Sequence, residues 1–600
     1  MGAMWGAQSW TRALVALMMG LSIVTLDGTG AAADATSAFE WRGIVEGYYG
    51  PPWSPTEREA QFAWMAVHGM NAYLNAPKDD PYQRANWRDP YPAAEATALR
   101  HEVEVATDAG VAWIPNVSPG LALIRGRPAP GTVPSAPICF ACPGDVDLLV
   151  AKLAPFVDAG SPAVAVSFDD VLAFSPHLED WRAYGAGAGA AAAMQRDLLA
   201  QVHARLGVPV ITVLTEYSGV RDSPYLQAIR AGDGLDPGVE VLWTGTAVIA
   251  ERIRAEDAAA YARLVGRARV IVWDNYPAHD TTGPSLGRPP TRLFLGPYQG
   301  RDPALAESAS GVLVNPMQLP RASRIPLATV AAYLADPAGY DAATAWGRAL
   351  GEAGDGADVL AQNSRSSRLD RTESVEYSAA VGDFAAGLDD GTWPVALGRL
   401  STETDREAAV GEVLAGSAPV LAAEVAPWTA TMAGNAELTS AAAVASAAMQ
   451  PGLEAHAGAV GAVGAVGAVG AVTISGRVTA AQPPVALARL AALVPRWAQV
   501  RARTAVTHGD RFTFLIDALY VGENRVDRFV AGTWARVLRR MLAVTLGGRR
   551  LTVTVGGDPV AVSPDGTFSV TRPAGDPVEV VATDAAGGRT RLTLEVDVGT

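Results

Sequence analysis

Between residues 39 and 316 the chain repeats one phrase eight times: a short apolar run rich in β-branched and aromatic residues, then a stop at polar or glycine residues. The runs cover residues 41–46, 71–76, 112–117, 163–169, 209–215, 239–244, 269–274 and 311–315. Most are continuously apolar rather than alternating, as strands buried on both faces are. Helical patterns lie between several of them. Ser54-Pro55-Thr56-Glu57 is a capping box with proline at the first helical position, and the helix it opens stops by Gly69. Asp145 is placed to cap a helix ending at Gly160, and Met194, Leu198, Leu199, Val202 and Leu206 share an apolar face that ends at Gly207. This α/β grammar predicts a (β/α)8 TIM barrel, with an open doubly wound sheet as the alternative. A barrel gathers the C-terminal strand ends on one face, where active sites lie.

Six hundred residues exceed one hydrophobic core, so further domains are expected. The sequence divides into an export signal at 1–35, a barrel at 36–325 and an Ala-rich helical bundle at 326–456. A Gly-Ala-Val repeat linker follows at 457–472, then a helical segment at 473–542 that includes 515–530. The last stretch, 543–600, alternates with period two and reads as a small immunoglobulin-like β-sandwich. The triplets lack proline, which excludes collagen. At the N-terminus, Arg12 precedes an apolar run at 13–26, followed by small residues suited to cleavage. That run is too short for a membrane span, and no later stretch would anchor the chain, so a secreted protein is expected. A net charge of −15 argues against nucleic acid or an anionic membrane surface as partner. The two cysteines, Cys139 and Cys142, lie in an exported chain, where a small local disulfide is favoured over redox catalysis. A zinc site would need two more ligands, and nothing nearby supplies them.

Read in order, the strand ends carry Glu46-Gly47, Lys78-Asp79-Asp80, Ser118-Pro119-Gly120, Asp169-Asp170, Glu216-Tyr217, Trp243-Thr244, Asp274-Asn275 and Asn315. The adjacent pair Asp169-Asp170 is the chemical centre of the set. A retaining glycosidase with its own nucleophile separates its carboxyls by about 5–5.5 Å across the scissile bond, an arrangement sequence neighbours serve poorly. Neighbours serve better side by side, where one carboxylate orients a 2-acetamido group and the other protonates the leaving oxygen. The acetamido oxygen then attacks its own anomeric carbon, and effective molarities of roughly 10⁵–10⁸ M make an enzyme nucleophile unnecessary. Like-charge repulsion keeps one of the two acids protonated.

The motifs around these residues resemble those of glycoside hydrolase family eighty-four. They are Gly43-Ile44-Val45-Glu46-Gly47-Tyr48-Tyr49-Gly50-Pro51-Pro52-Trp53, Ala76-Pro77-Lys78-Asp79-Asp80-Pro81-Tyr82, Ser118-Pro119-Gly120-Leu121 and Ser167-Phe168-Asp169-Asp170. Further along come Thr215-Glu216-Tyr217, Val241-Leu242-Trp243-Thr244-Gly245, Val272-Trp273-Asp274-Asn275, Phe294-Leu295-Gly296-Pro297-Tyr298 and Val314-Asn315-Pro316. The family holds protein O-GlcNAcases and bacterial β-N-acetylglucosaminidases once described as hyaluronidases. The resemblance implies that Asp169 orients the acetamido group and that Asp170 is general acid, then base. It implies that Gly47, Lys78, Asp280 and Asn315 bind sugar hydroxyls and that Tyr217 touches the acetamido or anomeric region. Trp273 would wall the N-acetyl methyl, and Asn275 would bond the acetamido oxygen or an aspartate. It implies no metal or organic cofactor, and substrates that are β-GlcNAc-containing glycans or glycoproteins.

Three positions depart from the family pattern: Asn75 where an aromatic residue is usual, Ala122 where an acidic one is common, and His279 where asparagine is frequent. They touch the preference for the leaving group rather than the catalytic pair. The expected activity is that of a secreted retaining exo-β-N-acetylglucosaminidase. Two alternatives stand beside it: an endo-acting hyaluronidase, and a catalytically silent glycan-binding or adhesion protein suggested by the C-terminal β module.

Overall fold

The computed structural model describes residues 39–120, 129–171, 175–282, 290–459, 471–503, 529–530, 532–533, 535–539, 551–573, 577–584 and 588–594. The expected export signal, Ala122, most of the Gly-Ala-Val repeat and much of the predicted 473–542 helical segment lie outside these residues. Eight parallel strands close into a barrel in chain order. They are β1 (Trp41–Glu46), β2 (Ala72–Asn75), β3 (Ala112–Val117), β4 (Val164–Ser167), β5 (Val210–Val213), β6 (Val239–Trp243), β7 (Val270–Asp274) and β8 (Ala309–Val314). The helices between them are α1 (Pro55–Val67), α2 (Ala93–Asp108), α3 (Pro143–Asp158), α4 (Leu178–Tyr184), α5 (Ala188–Leu206), α6 (Pro224–Ile229) and α7 (Ala255–Leu264), with α8 (Pro320–Ala335) after the last strand. The open-sheet alternative is therefore excluded. The seam closes on glycines: a Cβ on Gly43 would lie 1.7 Å from Ala72 O, and one on Gly311 would lie 2.4 Å from Trp41 Cβ.

Alternation sorts the strand residues into two populations. Val45, Leu74, Ile114, Ala165, Ile211, Val213, Leu242, Ile271 and Leu313 fill the barrel interior as one apolar cluster. Their neighbours, among them Ile44, Tyr73, Val164, Val166, Val241 and Val272, belong to the larger core that includes helix residues. Two polar networks sit within that outer shell. Glu46 accepts from Arg58 Nε (2.8 Å), Tyr48 OH (3.2 Å), Trp53 N (2.9 Å) and Tyr73 OH. Asp274 takes both Arg301 Nε and Nη2 at 2.7 Å and Tyr298 OH at 2.7 Å. The predicted capping box at Ser54 is present. Asp145, expected as a cap, lies instead in the first turn of α3, where it accepts from Arg88 and from Cys139 N. Cys142 holds the cap position and is joined to Cys139 by a disulfide.

Beyond α8 come α9 (Ala342–Ala353), α10 (Ala357–Gln362), α11 (Val375–Asp390), α12 (Trp393–Ser417) and α13 (Pro419–Ala447). The tail departs from the sequence expectation. The strands β9 (Gly452–Ala459) and β10 (Ala471–Thr479) are antiparallel partners, so Gly458 and Ala459 face Thr473 and Val472. The ends of the repeat are thus arms of one ribbon, and the range 473–542 begins as strand. Its helix, α14, spans Pro483–Arg503. Small residues with a valine every third position are compatible with extended pairing once a partner is present; composition alone did not reveal one. β11 (Leu551–Val555), β12 (Asp558–Val560), β13 (Thr567–Pro573), β14 (Val578–Asp584) and β15 (Arg589–Leu594) follow. β13 joins β10 and β9 in one sheet, while β12, β11, β14 and β15 form the other. The two sheets share a core of Ile474, Val478, Val553, Val555, Phe568, Val580 and Ala582. Among the described residues no helix is long and apolar enough to cross a membrane.

Arg301 and Asp274 each have side chains only 1 % exposed. Replacing Arg301 with Met leaves a buried carboxylate without its cation and is expected to cost about 3–5 kcal/mol, measured as a lowered urea midpoint at unchanged slope.

Candidate active site

The inward register of the strands continues past their ends. Stepping by two from Val45 reaches Gly47 and Tyr49, from Leu74 Lys78, from Ala165 Asp169, and from Val213 Tyr217. The same stride from Leu242 reaches Thr244, from Ile271 Trp273 and Asn275, and from Leu313 Asn315. All of these line one pocket of roughly 660 Å³ including its mouth, together with Asp170, Val213, Val248, Ile249, Ala278, Asp280 and Thr281. Asp170 is the member out of step. Its φ of +58° places it in the left-handed region, which aspartate tolerates better than most residues. That turn lets two consecutive carboxylates share a pocket that a regular strand would place on opposite faces.

The two acids have different surroundings. Asp169 is 6 % exposed; its Oδ2 takes the Lys78 ammonium, while its buried Oδ1 has no hydrogen-bond partner among the described residues. Burial pushes the Asp169 carboxyl up, but Lys78 and then Arg84 outweigh it and hold the group below the usual carboxylate range. Asp170 receives two phenols, Tyr217 OH on Oδ1 at 3.2 Å and Tyr49 OH on Oδ2 at 3.3 Å. Burial raises the Tyr49 phenol to about 12, so it remains a proton donor at neutral pH.

On the other wall a chain of amides fixes the indole. Trp273 Nε1 donates to Asn275 Oδ1 (2.8 Å), which also accepts from Asn315 Nδ2 (2.9 Å); Asn275 Nδ2 is spent on Val248 O (2.7 Å). Asn315 Oδ1 accepts from Gly47 N at 3.2 Å. The Lys78 ammonium stands 5.2 Å from the Trp273 ring centroid. Asp280 Oδ2 accepts from Tyr49 N at 3.0 Å, and burial pushes its carboxyl up. The arrangement offers an anionic acceptor with one buried oxygen that has no partner among the described residues, a second acid held by two donors, and an aromatic wall.

A family model described as beta-N-acetylglucosaminidase matches residues 42–364, more than half of the chain. The chain belongs to that family. That family, the β-N-acetylglucosaminidases, is one of glycoside hydrolases. The family's relatives include the protein O-GlcNAcases of Rattus norvegicus and Mus musculus, each 34 % identical over 301 residues, which is 48 % of this chain and 30 % of theirs. The chain therefore matches about a third of the length of these relatives. A mutant of the Thermobaculum terrenum O-GlcNAc hydrolase superposes with a TM-score of 0.67 at 23 % identity, covering 85 % of this chain and 96 % of that one, a likeness of fold.

All nine residues singled out from the sequence line the family member's pocket: Gly47, Lys78, Asp169, Asp170, Tyr217, Trp273, Asn275, Asp280 and Asn315. Asn275 does not reach an aspartate; it braces Trp273 and Asn315. Other strand-end acids point elsewhere, Glu46 and Asp274 into the buried networks and Asp80 onto Tyr82 N, Gln83 N and Tyr91 OH. Of the departures, Asn75 is buried and does not line the pocket. His279 is buried and neutral, its pKa lowered to about 4 by burial; Nδ1 donates to Arg292 O (2.9 Å) and Nε2 accepts from Gln318 N (3.1 Å). Sequence reasoning missed Tyr49 as a site residue, although it lies one stride beyond Gly47. It also missed Arg84, which carries no strand-end signal.

A Cβ on Gly47 would stand 2.3 Å from Trp273 Cζ2. Gly47→Ala is expected to displace the indole and lower kcat/KM about 10²-fold, with the melting temperature changed little; a steady-state assay beside a thermal melt checks this.

Proposed function

We propose that this hydrolase is a retaining, exo-acting β-N-acetylglucosaminidase, exported from the cell, that removes terminal β-linked GlcNAc from glycoconjugates with the sugar's own acetamido group as nucleophile. The observation that carries the reading is the asymmetry of Asp169, a residue of the pocket wall: one oxygen is held by Lys78, and the other is buried with no hydrogen-bond partner among the described residues. A carboxylate so placed can accept a single amide N–H, which turns the acetamido oxygen onto the anomeric carbon.

In the first step the acetamido oxygen bonds to C1 as the C1–aglycone bond breaks. The bonding pair leaves with the aglycone oxygen, which takes the Asp170 proton, and Asp169 holds the N–H of the oxazolinium ion that forms. In the second step Asp170 removes a proton from water, whose oxygen bonds to C1 as the acetamido oxygen departs. Two inversions retain the configuration. Trp273 walls the acetamido methyl. Exo action is supported by the roles the family resemblance gives Asp280 and Asn315 on the sugar's hydroxyls, which would fill the space a further residue needs. Export is supported by the charged and apolar pattern of residues 1–35.

Aryl N-acetyl-β-glucosaminides are the expected substrates. Asp169→Ala is expected to lower their kcat at least 10³-fold, within the range intramolecular assistance supplies; equally fast cleavage of the corresponding glucosides lacking the acetamido group would refute the mechanism. Lys78→Met removes the cation in contact with Asp169, which opposes the effect of burial. The carboxyl then ionises at higher pH, and since the ionised form is the working one, the acid limb of kcat/KM is expected to move to higher pH, measured as a pH–rate profile.

A further inference from the structure

One loop delivers two cations to the catalytic acids. After β2 it carries Lys78 onto Asp169 and, six residues later, Arg84 behind Tyr49. The loop is held by its backbone, that of Arg84 included (Arg84 N to Pro81 O, 3.2 Å), and not by the Arg84 side chain. Asp80 Oδ1 accepts from Tyr82 N (2.8 Å) and Gln83 N (3.3 Å), Tyr91 OH binds Asp80 Oδ2 (2.9 Å), and Ser118 N binds Gln83 O (2.8 Å). Arg84 is 4 % exposed, yet its Nε and Nη2 have no hydrogen-bond partner among the described residues. Among the described residues the guanidinium makes one hydrogen bond, from Nη1 to Tyr49 OH at 3.4 Å, and its carbon stands 5.8 Å from the Tyr49 ring centroid. A buried guanidinium with two nitrogens unspent is costly unless its charge is used.

We propose, resting on the glycosidase reading above, that Arg84 is a positioning residue for the acid step, acting on Asp170 through Tyr49. A guanidinium can only donate. By donating to the Tyr49 oxygen, it leaves the phenol one direction for its own proton, toward Asp170 Oδ2. Charge balance gives this arrangement a purpose. Before reaction Asp170 carries its proton, and Lys78 already neutralises Asp169. As the proton passes to the aglycone oxygen, Asp170 becomes a carboxylate beside an existing one. The Arg84 cation and the oriented Tyr49 dipole face that new charge and are in place before it forms, so they stabilise the transition state more than the ground state. The other charged or titratable groups here are Asp169, which acts on Arg84 more strongly than Asp170 does, Tyr217 on Asp170 Oδ1, and Asp280, which faces Lys78.

The test uses leaving groups of different need. Phenyl N-acetyl-β-glucosaminide depends on protonation of its departing oxygen, while the dinitrophenyl glycoside departs with little help. Arg84→Met is expected to lower kcat on the phenyl glycoside about 10²-fold, to lower it less than about tenfold on the dinitrophenyl glycoside, and to leave KM within about threefold. Tyr49→Phe keeps the charge and the ring and is expected to give the same selective loss; it decides the matter if Arg84→Met does not fold. Arg84→Lys, which restores the charge with a shorter reach, is expected to recover part of the loss on the phenyl substrate. Equal losses on both glycosides, or none, in an unsubstituted enzyme that turns both over would overturn this inference and leave the glycosidase reading standing. Failure of the unsubstituted enzyme to cleave either glycoside would remove both.

Discussion

Closure of eight parallel strands imposes a two-residue period on everything placed at their C-terminal ends, and the site inherits it. An inward residue is followed two positions later by another inward residue, so the packed interior and the pocket lining form one continuous series. This explains why Gly47, Lys78, Asp169, Tyr217, Thr244, Asn275 and Asn315 converge although they come from seven different strands. The outward residues between them are equally constrained. Glu46 and Asp274 are completely buried acids at strand ends, yet each is satisfied by an arginine and tyrosine hydroxyls of the outer shell. They anchor strand ends and do not line the pocket. Asp170 breaks the period, and its left-handed backbone is the local cost of putting two consecutive acids in one pocket.

Electrostatics then divides the work between two chemically identical side chains. Asp169 faces Lys78 directly and Arg84 through space, which keeps it an anion despite burial. Asp170 meets neutral phenols instead. Phenols can follow a carboxyl through loss and recovery of its proton, whereas an ammonium in contact would bind the anion and hinder its return to the acid form. The asymmetry of partners, cation for one and phenol for the other, is what the proposed cycle asks of one group that stays an anion and one that passes a proton. The indole wall is fixed by the same economy of partners: Asn275 spends its oxygen on Trp273 and Asn315 and its nitrogen on Val248 O, so it has little left for an aspartate.

The barrel and its nine pocket residues were legible because they depend on short-range patterns: β-branched runs, capping signals and motifs at strand ends. The strand bounds differ from expectation by a residue or two, mainly where an apolar run outlasts the hydrogen-bonded ladder, as at 209–215 against Val210–Val213. Arg84 was not legible. It lies in an irregular loop whose course is set by Asp80 accepting backbone N–H groups, so no periodicity predicts where its side chain arrives. Asp145 was misread for a related reason: a carboxylate in a first helical turn suits a cap, but Arg88 and Cys139 N claim it from across the loop. Such long-range partners leave no trace in local spacing.

The tail shows the same limit on a larger scale. The β-sandwich was expected from 543–600 alone, yet one of its sheets is completed by β9 and β10, which flank the Gly-Ala-Val repeat. The repeat thus interrupts a ribbon rather than joining two domains. The module is also tied to the helices beyond the barrel: Trp393 Nε1 donates to Thr590 Oγ1 at 3.0 Å, and Arg591 N donates to Gly391 O at 2.7 Å, at the turn between α11 and α12. A cut near residue 457 would strip β9 of its partner and expose one side of the shared apolar core. The boundary that respects the physics lies before Gly452, where helix α13 has ended and the first strand of the sandwich has not begun.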